Sequence, residues 1–244
     1  MRIDLLCSGS KGNSCLIRSK ESQIIIDCGS TKRYLLDAFK RVNACIENCD
    51  GILITHAHSD HISQLKLFNS FPVYSYCDLD GLAEHIKIKP YQEFDIKDFH
   101  ITVIGLSHDS PNTIGFVIRC EDEKLVYITD TGYLPNQAKP YLMNADYYIF
   151  ESNHDMDMLM NSLRPVFLKQ RILGDNGHLN NEDAAYHLCA FIGDKTKQVV
   201  LAHISDECNT CQKAKEVFLN KWNQPLTFDL EAMEQRTLFS FGAL

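Results

Sequence analysis

The chain has 244 residues, a formal net charge of −8, 45% hydrophobic and 23% charged residues. These are the proportions of an ordinary globular protein, and the acidic balance excludes one that coats duplex nucleic acid through a broad basic face. Apolar runs such as "IIID" and "VVLA" are far too short to span a membrane, and Asp4 interrupts what would be a signal-peptide core. The ten cysteines therefore read as reduced thiols of a cytoplasmic protein. No linker, charge block or internal repeat divides residues 1–244, so a single domain is expected.

In chain order, "RIDLLC", "CLIRS" and "QIIID" open as strands by their β-branched content and length. Between the first two lies "SGSKGNS", which has neither the spacing nor the following helix of a phosphate-binding loop. It reads as a plain hairpin, or as a turn bringing Ser10 and Asn13 near a substrate. A helix over 31–42 leads to "GILIT" and then to "HAHSDH" at 56–61. Here His56, His58 and Asp60 alternate, so an extended backbone points all three the same way, while His61 begins a helix over 62–69. Four ligand-type groups in six residues suit two adjacent metal ions better than one.

The remaining strands are "PVYSY", "ITVIGLS", "TIGFVIR", "KLVYITD", "DYYIFE", "QVVLAH" and "RTLFSF", with helices expected over 78–86, 155–170, 181–192 and 210–222. Such alternation predicts sheets covered by helices. Six strands end in a metal-capable or acidic residue: Asp27, His56, His108, Asp130, Glu151 and His203. Loops beyond strand ends commonly build sites, so these ends are expected to converge on one edge. In "GDNGHLNNEDAA", Asn180 or Asn181 is a helix N-cap with acids following, which sets His178 just before a helix start, where free N–H groups attract anions. Arg164, Lys169 and Arg171 grip a nucleic-acid backbone or form a solvated helix face. The pair in "CNTC" at 208–211 reads as free thiols, since one pair cannot build a structural zinc site.

"THAHSDH" resembles the signature of the metallo-β-lactamase superfamily, and the likeness runs the length of the chain. "GSKGNS", "ESNHDMDML" and "GHLNN" look like its bacterial YycJ/WalJ group. The resemblance implies a four-layer αββα sandwich with the site at one edge of two sheets. It implies that His56, His58 and His108 hold one divalent ion, that Asp60, His61 and His203 hold a second, that Asp130 bridges, and that Asp27 supports from behind. Imidazole and carboxylate donors suit zinc, with manganese or iron as alternatives. Two such ions against two carboxylates and a bridging hydroxide leave a positive surplus that favours an anionic substrate. The "GHLNN" stretch also looks like the loop of tRNase Z-type phosphodiesterases whose histidine faces the scissile phosphate. Its partner there is a strand-end glutamate, a place that Glu151 matches; His154 is the substitute for either.

Asp60, Glu151 and His178 are thus the expected catalytic residues, and Ser10, Asn13 and His178 the substrate-binding ones. The expected function is a binuclear metal-dependent phosphodiesterase, exonuclease-like, acting on nucleic acid and without a membrane partner. One alternative is an ester, thioester or lactam hydrolase on the same fold, although Asp60 followed by His61 departs from true β-lactamases. The other is a non-catalytic regulatory or redox module, although His58 stands where flavodiiron relatives carry glutamate. Gln64 replaces a glycine of the family pattern, and "CNTC" an Asn-rich stretch. Neither removes a ligand.

Overall fold

In a computed structural model describing residues 1–244, the chain begins with β1 (Arg2–Cys7), β2 (Ser14–Arg18), β3 (Gln23–Ile26), α1 (Lys32–Arg41) and β4 (Gly51–Ile54). Then come α2 (Ser59–Ile62), β5 (Val73–Ser75) and β6 (His85–Lys87). A second series follows: β7 (Glu93–Ile96), β8 (Phe99–Gly105), β9 (Ile114–Cys120), β10 (Glu123–Ile128), α3 (Lys139–Leu142) and β11 (Tyr147–Glu151). It continues through α4 (Met156–Asn161), α5 (Val166–Leu173), α6 (Asn181–Phe191), β12 (Gln198–Ala202), α7 (Cys211–Trp222) and β13 (Asp229–Ala232). The last strand, β14 (Phe239–Gly242), returns to the first sheet. The sheets have the orders β14-β1-β2-β3-β4-β5-β6 and β13-β12-β11-β10-β9-β8-β7.

The apolar runs are unbroken because both faces of each sheet are covered. In β3, Ile24 and Ile26 point into the core between the sheets, while Ile25 packs outward with Leu35 and Phe39 of α1. In β10, Leu125 and Tyr127 face inward, while Val126 and Ile128 pack with Ala184 and Leu188 of α6 and Phe218 of α7. The result is the αββα sandwich expected from the resemblance. No helix is long and apolar enough to cross a membrane.

Three expected helices differ. Residues 78–86 form none: Gly81 takes a positive φ of 74°, and His85–Lys87 pair with β5 instead. The expected 62–69 helix is instead the single turn of α2, starting at Ser59, and a short 3-10 turn at Leu65–Phe68. The 155–170 helix is cut in two because the residues before Pro165 are pushed out of helical backbone, leaving α4 and α5 as an elbow. The unforeseen strands β6, β7 and β13 are short edge strands, half wetted and partly polar, so they carry no apolar run.

Strand direction positions the site. β3 and β4 are parallel, as are β10, β11 and β12, and β8 runs with β10 because each is antiparallel to β9. The C-terminal ends of all six strands therefore meet at one edge of the sandwich.

Candidate metal centre and adjoining cleft

The backbone after three of these strands is left-handed: φ is 57° at Asp27, 58° at Asp130 and 57° at His203. For a residue with a side chain this costs about 1–2 kcal/mol, least for Asp and its polar neighbours. The turn carries each side chain away from the strand direction and toward the shared edge. Gly29 has a different reason to be glycine, since a Cβ there would lie 1.6 Å from the Asp60 carbonyl oxygen. Around it, Asn13 N–H donates to Asp60 O (2.8 Å) and Cys28 N–H to His61 O (2.7 Å), so two turns clamp the histidine loop.

Three of the imidazoles are then aimed by a partner on the other nitrogen. His61 Nδ1 pairs with Asp27 Oδ2 at 2.8 Å, and Asp27 is itself fixed by the Thr55 N–H (2.9 Å) and hydroxyl (2.8 Å). His108 Nδ1 donates to Gly177 O at 3.0 Å, and His203 Nδ1 pairs with Glu151 Oε1 at 3.0 Å. This leaves the Nε2 atoms turned inward, 3.3 Å from Asp130 for both His61 and His203. His56 Nε2 and His58 Nδ1 face each other at 3.1 Å. Supporting partners of this kind fix tautomer and orientation in metal sites.

Four sets of ligand atoms lie within 4.8 Å of one another: His56, His58, His108; Asp60, His61, His203; His56, His61, Asp130; and Asp130, Glu151, His178, His203. Asp130 belongs to sets on both sides. Its Oδ2 and the Nε2 of His203 are buried without any hydrogen-bond partner. A buried polar atom left so costs about 1–3 kcal/mol, which a bound cation would offset. The donor set is nitrogen and carboxylate oxygen throughout, so the residues present fit a divalent metal.

The charges agree. Burial disfavours the His203 cation, but Asp130 and Glu151 outweigh it and raise its pKa to about 9. Burial acts on His61 likewise, and Asp27 and Asp130 hold it well above its usual value. Burial would raise Asp130, yet His203, His61 and His56 keep it well below the carboxylate range. Burial, then neighbouring His61, push His56 well below its usual value. The carboxylates thus favour the cationic form of His61 and His203, through the same surplus of negative charge that would attract a metal cation.

Glu151 is fully buried at the end of β11. Its Oε1 accepts from His178 Nδ1 at 2.8 Å as well as from His203, and its Oε2 from the Thr131 and Leu179 amides at 2.8 and 3.3 Å. Burial would raise this acid, but His178 and His203 hold it at about 2. The sequence paired Glu151 with His178 alone; one carboxylate in fact serves both imidazoles. Glu151→Gln should therefore lower both turnover and metal retention, by ~10–100-fold, where a partner of His178 alone would leave metal content untouched. Metal analysis after gel filtration, beside the rate, separates the two.

The cleft beside these groups has a volume of ≈190 Å³, and Ser10, His58, Asp60, His108, His178 and His203 reach it. A larger depression of ≈790 Å³, around Asp146 and Lys197, contains none of the ligand sets. Asn13 does not line the cleft. It is fully buried, with Nδ2 2.9 Å from His61 Nε2 and 3.3 Å from Asp60 Oδ2, so its contacts are with the candidate ligands themselves. His154 is likewise buried and outside both the ligand sets and the cleft, with a pKa lowered to about 4 chiefly by burial. Asp60 lies in the first turn of α2 and does not continue the extended alternation of His56 and His58. Asp109 joins no ligand set; its Oδ1 lies 3.2 Å from His108 Nε2 and 3.5 Å from His58 Nε2, and its Oδ2 pairs with Arg171 at the cleft mouth. Arg164 and Arg171 line the cleft, whereas Lys169 Nζ donates to the carbonyls of Met160 (2.6 Å) and Ser162 (2.8 Å).

Several supporting residues escaped the sequence. Ser8 accepts from the His203 amide at 2.9 Å, and Asn153 donates to His203 O at 2.8 Å. Asn209, inside "CNTC", donates to Ser152 O (2.9 Å) and Asn181 Oδ1 (2.8 Å), tying the segments that carry Glu151, His178 and His203. Cys208 and Cys211 are free thiols, as are the other eight. Only the "ESN" and "LNN" stretches beside strand and helix ends hinted at this network. Asn180 proves to be the N-cap of α6, accepting from the Asp183 amide.

Two face-to-face sheets with histidines and carboxylates gathered at one edge define a metallohydrolase-type sandwich. A family model described as a β-lactamase superfamily domain matches residues 22–204. The chain belongs to the metallo-β-lactamase superfamily. Within it the chain is similar to the exodeoxyribonuclease YycJ of Bacillus anthracis, 35% identical over 228 residues, covering 88% of this chain and 86% of that one. It is also similar to the exodeoxyribonuclease WalJ of Streptococcus pneumoniae, 32% identical over 243 residues, with 91% and 88% covered. Among solved structures, the metallo-β-lactamase fold protein YhfI of Bacillus subtilis shares the fold at a TM-score of 0.75 and 18% identity, with 98% of each chain covered. The short form of human tRNase Z does so at 0.66 and 15%, again with 98% covered on both sides.

Proposed function

We propose that this chain is a metal-dependent phosphodiesterase acting on nucleic acid, in the manner of an exonuclease. The observation that carries this reading is the Glu151–His178 pair, which opens on the same cleft as the candidate metal ligands. The sequence similarity to two exodeoxyribonucleases supports it. His56, His58 and His108 would hold one divalent ion and Asp60, His61 and His203 another, with Asp130 between them and Asp27 fixing His61. Zinc suits these donors best, with manganese or iron as alternatives. When bound, such ions neutralise phosphoryl charge and acidify water for attack near neutral pH.

The chain's own residues supply the rest. His178 donates Nδ1–H to Glu151, whose charge favours the imidazolium; in that form Nε2–H gives its proton to the departing oxygen, leaving the neutral Nδ1–H imidazole. An alkoxide leaving group needs that proton; a thiolate does not, which favours a phosphodiester over a thioester. Ser10, at the cleft wall, is a substrate contact, and Asn13 positions Asp60 and His61. We take residues 1–244 as one domain, and its ten free thiols as those of a cytoplasmic protein.

The purified protein, assayed with bis(p-nitrophenyl) phosphate, thioesters and a chromogenic lactam, should hydrolyse the diester in a reaction abolished by chelator and restored by divalent metal. Faster turnover of a thioester or lactam than of the diester would overturn the assignment.

A further inference from the structure

The elbow made by α4 and α5 is unlike the rest of the surface. Of thirteen large hydrophobic side chains exposed on the molecule, six lie within residues 156–173: Met156, Met160, Leu163, Val166, Phe167 and Leu173. Leu163 is wholly exposed and Phe167 is 72% exposed. Clustered exposed apolar groups mark an interaction surface far more often than single ones do.

This surface is continuous with the cleft. Leu168 and Ile172, four apart on one face of α5, line it, together with Arg164 and Arg171. Phe167 stands one helical turn before Arg171 and next to Leu168, so it lies on the part of α5 that adjoins the cleft-lining residues. Both arginines are paired with carboxylates near the cleft mouth, Arg164 with Glu207 at 2.9 Å and Arg171 with Asp109. One partner of each pair is largely exposed, Glu207 in the first and Arg171 in the second, so a phosphate can compete for either guanidinium. An exposed aromatic ring beside guanidiniums on the rim of a cleft is the arrangement that binds unpaired nucleic acid, with rings stacking on bases and cations following the backbone. A second copy of this chain would explain the apolar side chains but not the two guanidiniums aimed into the cleft.

We propose that the α4–α5 elbow binds an unpaired strand, with Phe167 stacking on a base next to the phosphodiester in the cleft and Arg164 and Arg171 contacting flanking phosphates. This deepens the phosphodiesterase reading and rests on it for the identity of the cleft. The test is equilibrium binding of a fluorescent phosphorothioate oligo(dT), which resists cleavage, to the full metal-loaded chain. Phe167→Ala should weaken binding ~5–100-fold, the worth of one stacked base, and Phe167→Trp should restore it. A blunt duplex of the same length should bind no more weakly to Phe167→Ala than to the wild type. Turnover of bis(p-nitrophenyl) phosphate should stay within about two-fold, because that substrate is too small to reach the elbow. Unchanged oligo(dT) binding, or an equal loss for the blunt duplex, would overturn the proposal. So would a wild-type dimer that Phe167→Ala converts to monomer, since the elbow would then be a subunit interface. A protein that binds oligo(dT) through Phe167 yet hydrolyses no diester would refute the phosphodiesterase reading and leave the elbow standing.

Discussion

His178→Ala is expected to retain its metal and to lose roughly 10²–10⁴-fold in turnover on an oligonucleotide. Metal should stay because Glu151 keeps its bonds to His203 and to the Thr131 amide when His178 is removed. The loss belongs to the leaving group. A sugar alkoxide needs a proton as it departs, whereas nitrophenolate leaves without one, so the penalty on bis(p-nitrophenyl) phosphate should be much smaller. The ratio of the two rates, measured with metal content verified, is the decisive quantity. Equal losses on both substrates would make His178 a phosphate-binding group and end the general-acid assignment.

Asp130→Asn should lose bound metal and activity on every substrate, beyond the ~10²-fold that removal of a ligand's supporting partner costs. Asparagine is the appropriate replacement because position 130 has a φ of 58°, which asparagine tolerates and alanine does not. The shape is kept and only the charge is removed. Without that anion, His56, His61 and His203 lose the one carboxylate they share, and only Asp27 at His61 and Glu151 at His203 remain. Asp109→Ala is the comparison: Asp109 joins none of the ligand sets and, of the candidate ligands, touches only His58 and His108, so its loss should cost less metal than that of Asp130. Equal metal content in the two variants, by elemental analysis after dialysis, would remove Asp130 from the centre.

The sequence by itself determined the chemistry available and much of the frame. "HAHSDH" packs ligand-type groups too densely for a structural accident, and six apolar runs ending in His, Asp or Glu named the edge where they would meet. That much is local, because strand ends and residue types are written in short windows. Tertiary structure decided what those windows could not hold. Asn13 reads as a turn residue near substrate, but its contact with His61 joins residues 48 apart in the chain. Glu151 serves two imidazoles because sheet order sets β11 beside β12, which ends at His203, while the loop before α6 brings His178 to the same carboxylate. The sequence reads as one helix over 155–170, running across Pro165; the structure breaks it there into an elbow whose Leu168 and Ile172 face the cleft while Phe167 faces solvent. Local sequence fixes backbone preference and side-chain chemistry; which groups share a partner, and which are buried with none, depends on residues far apart in the chain.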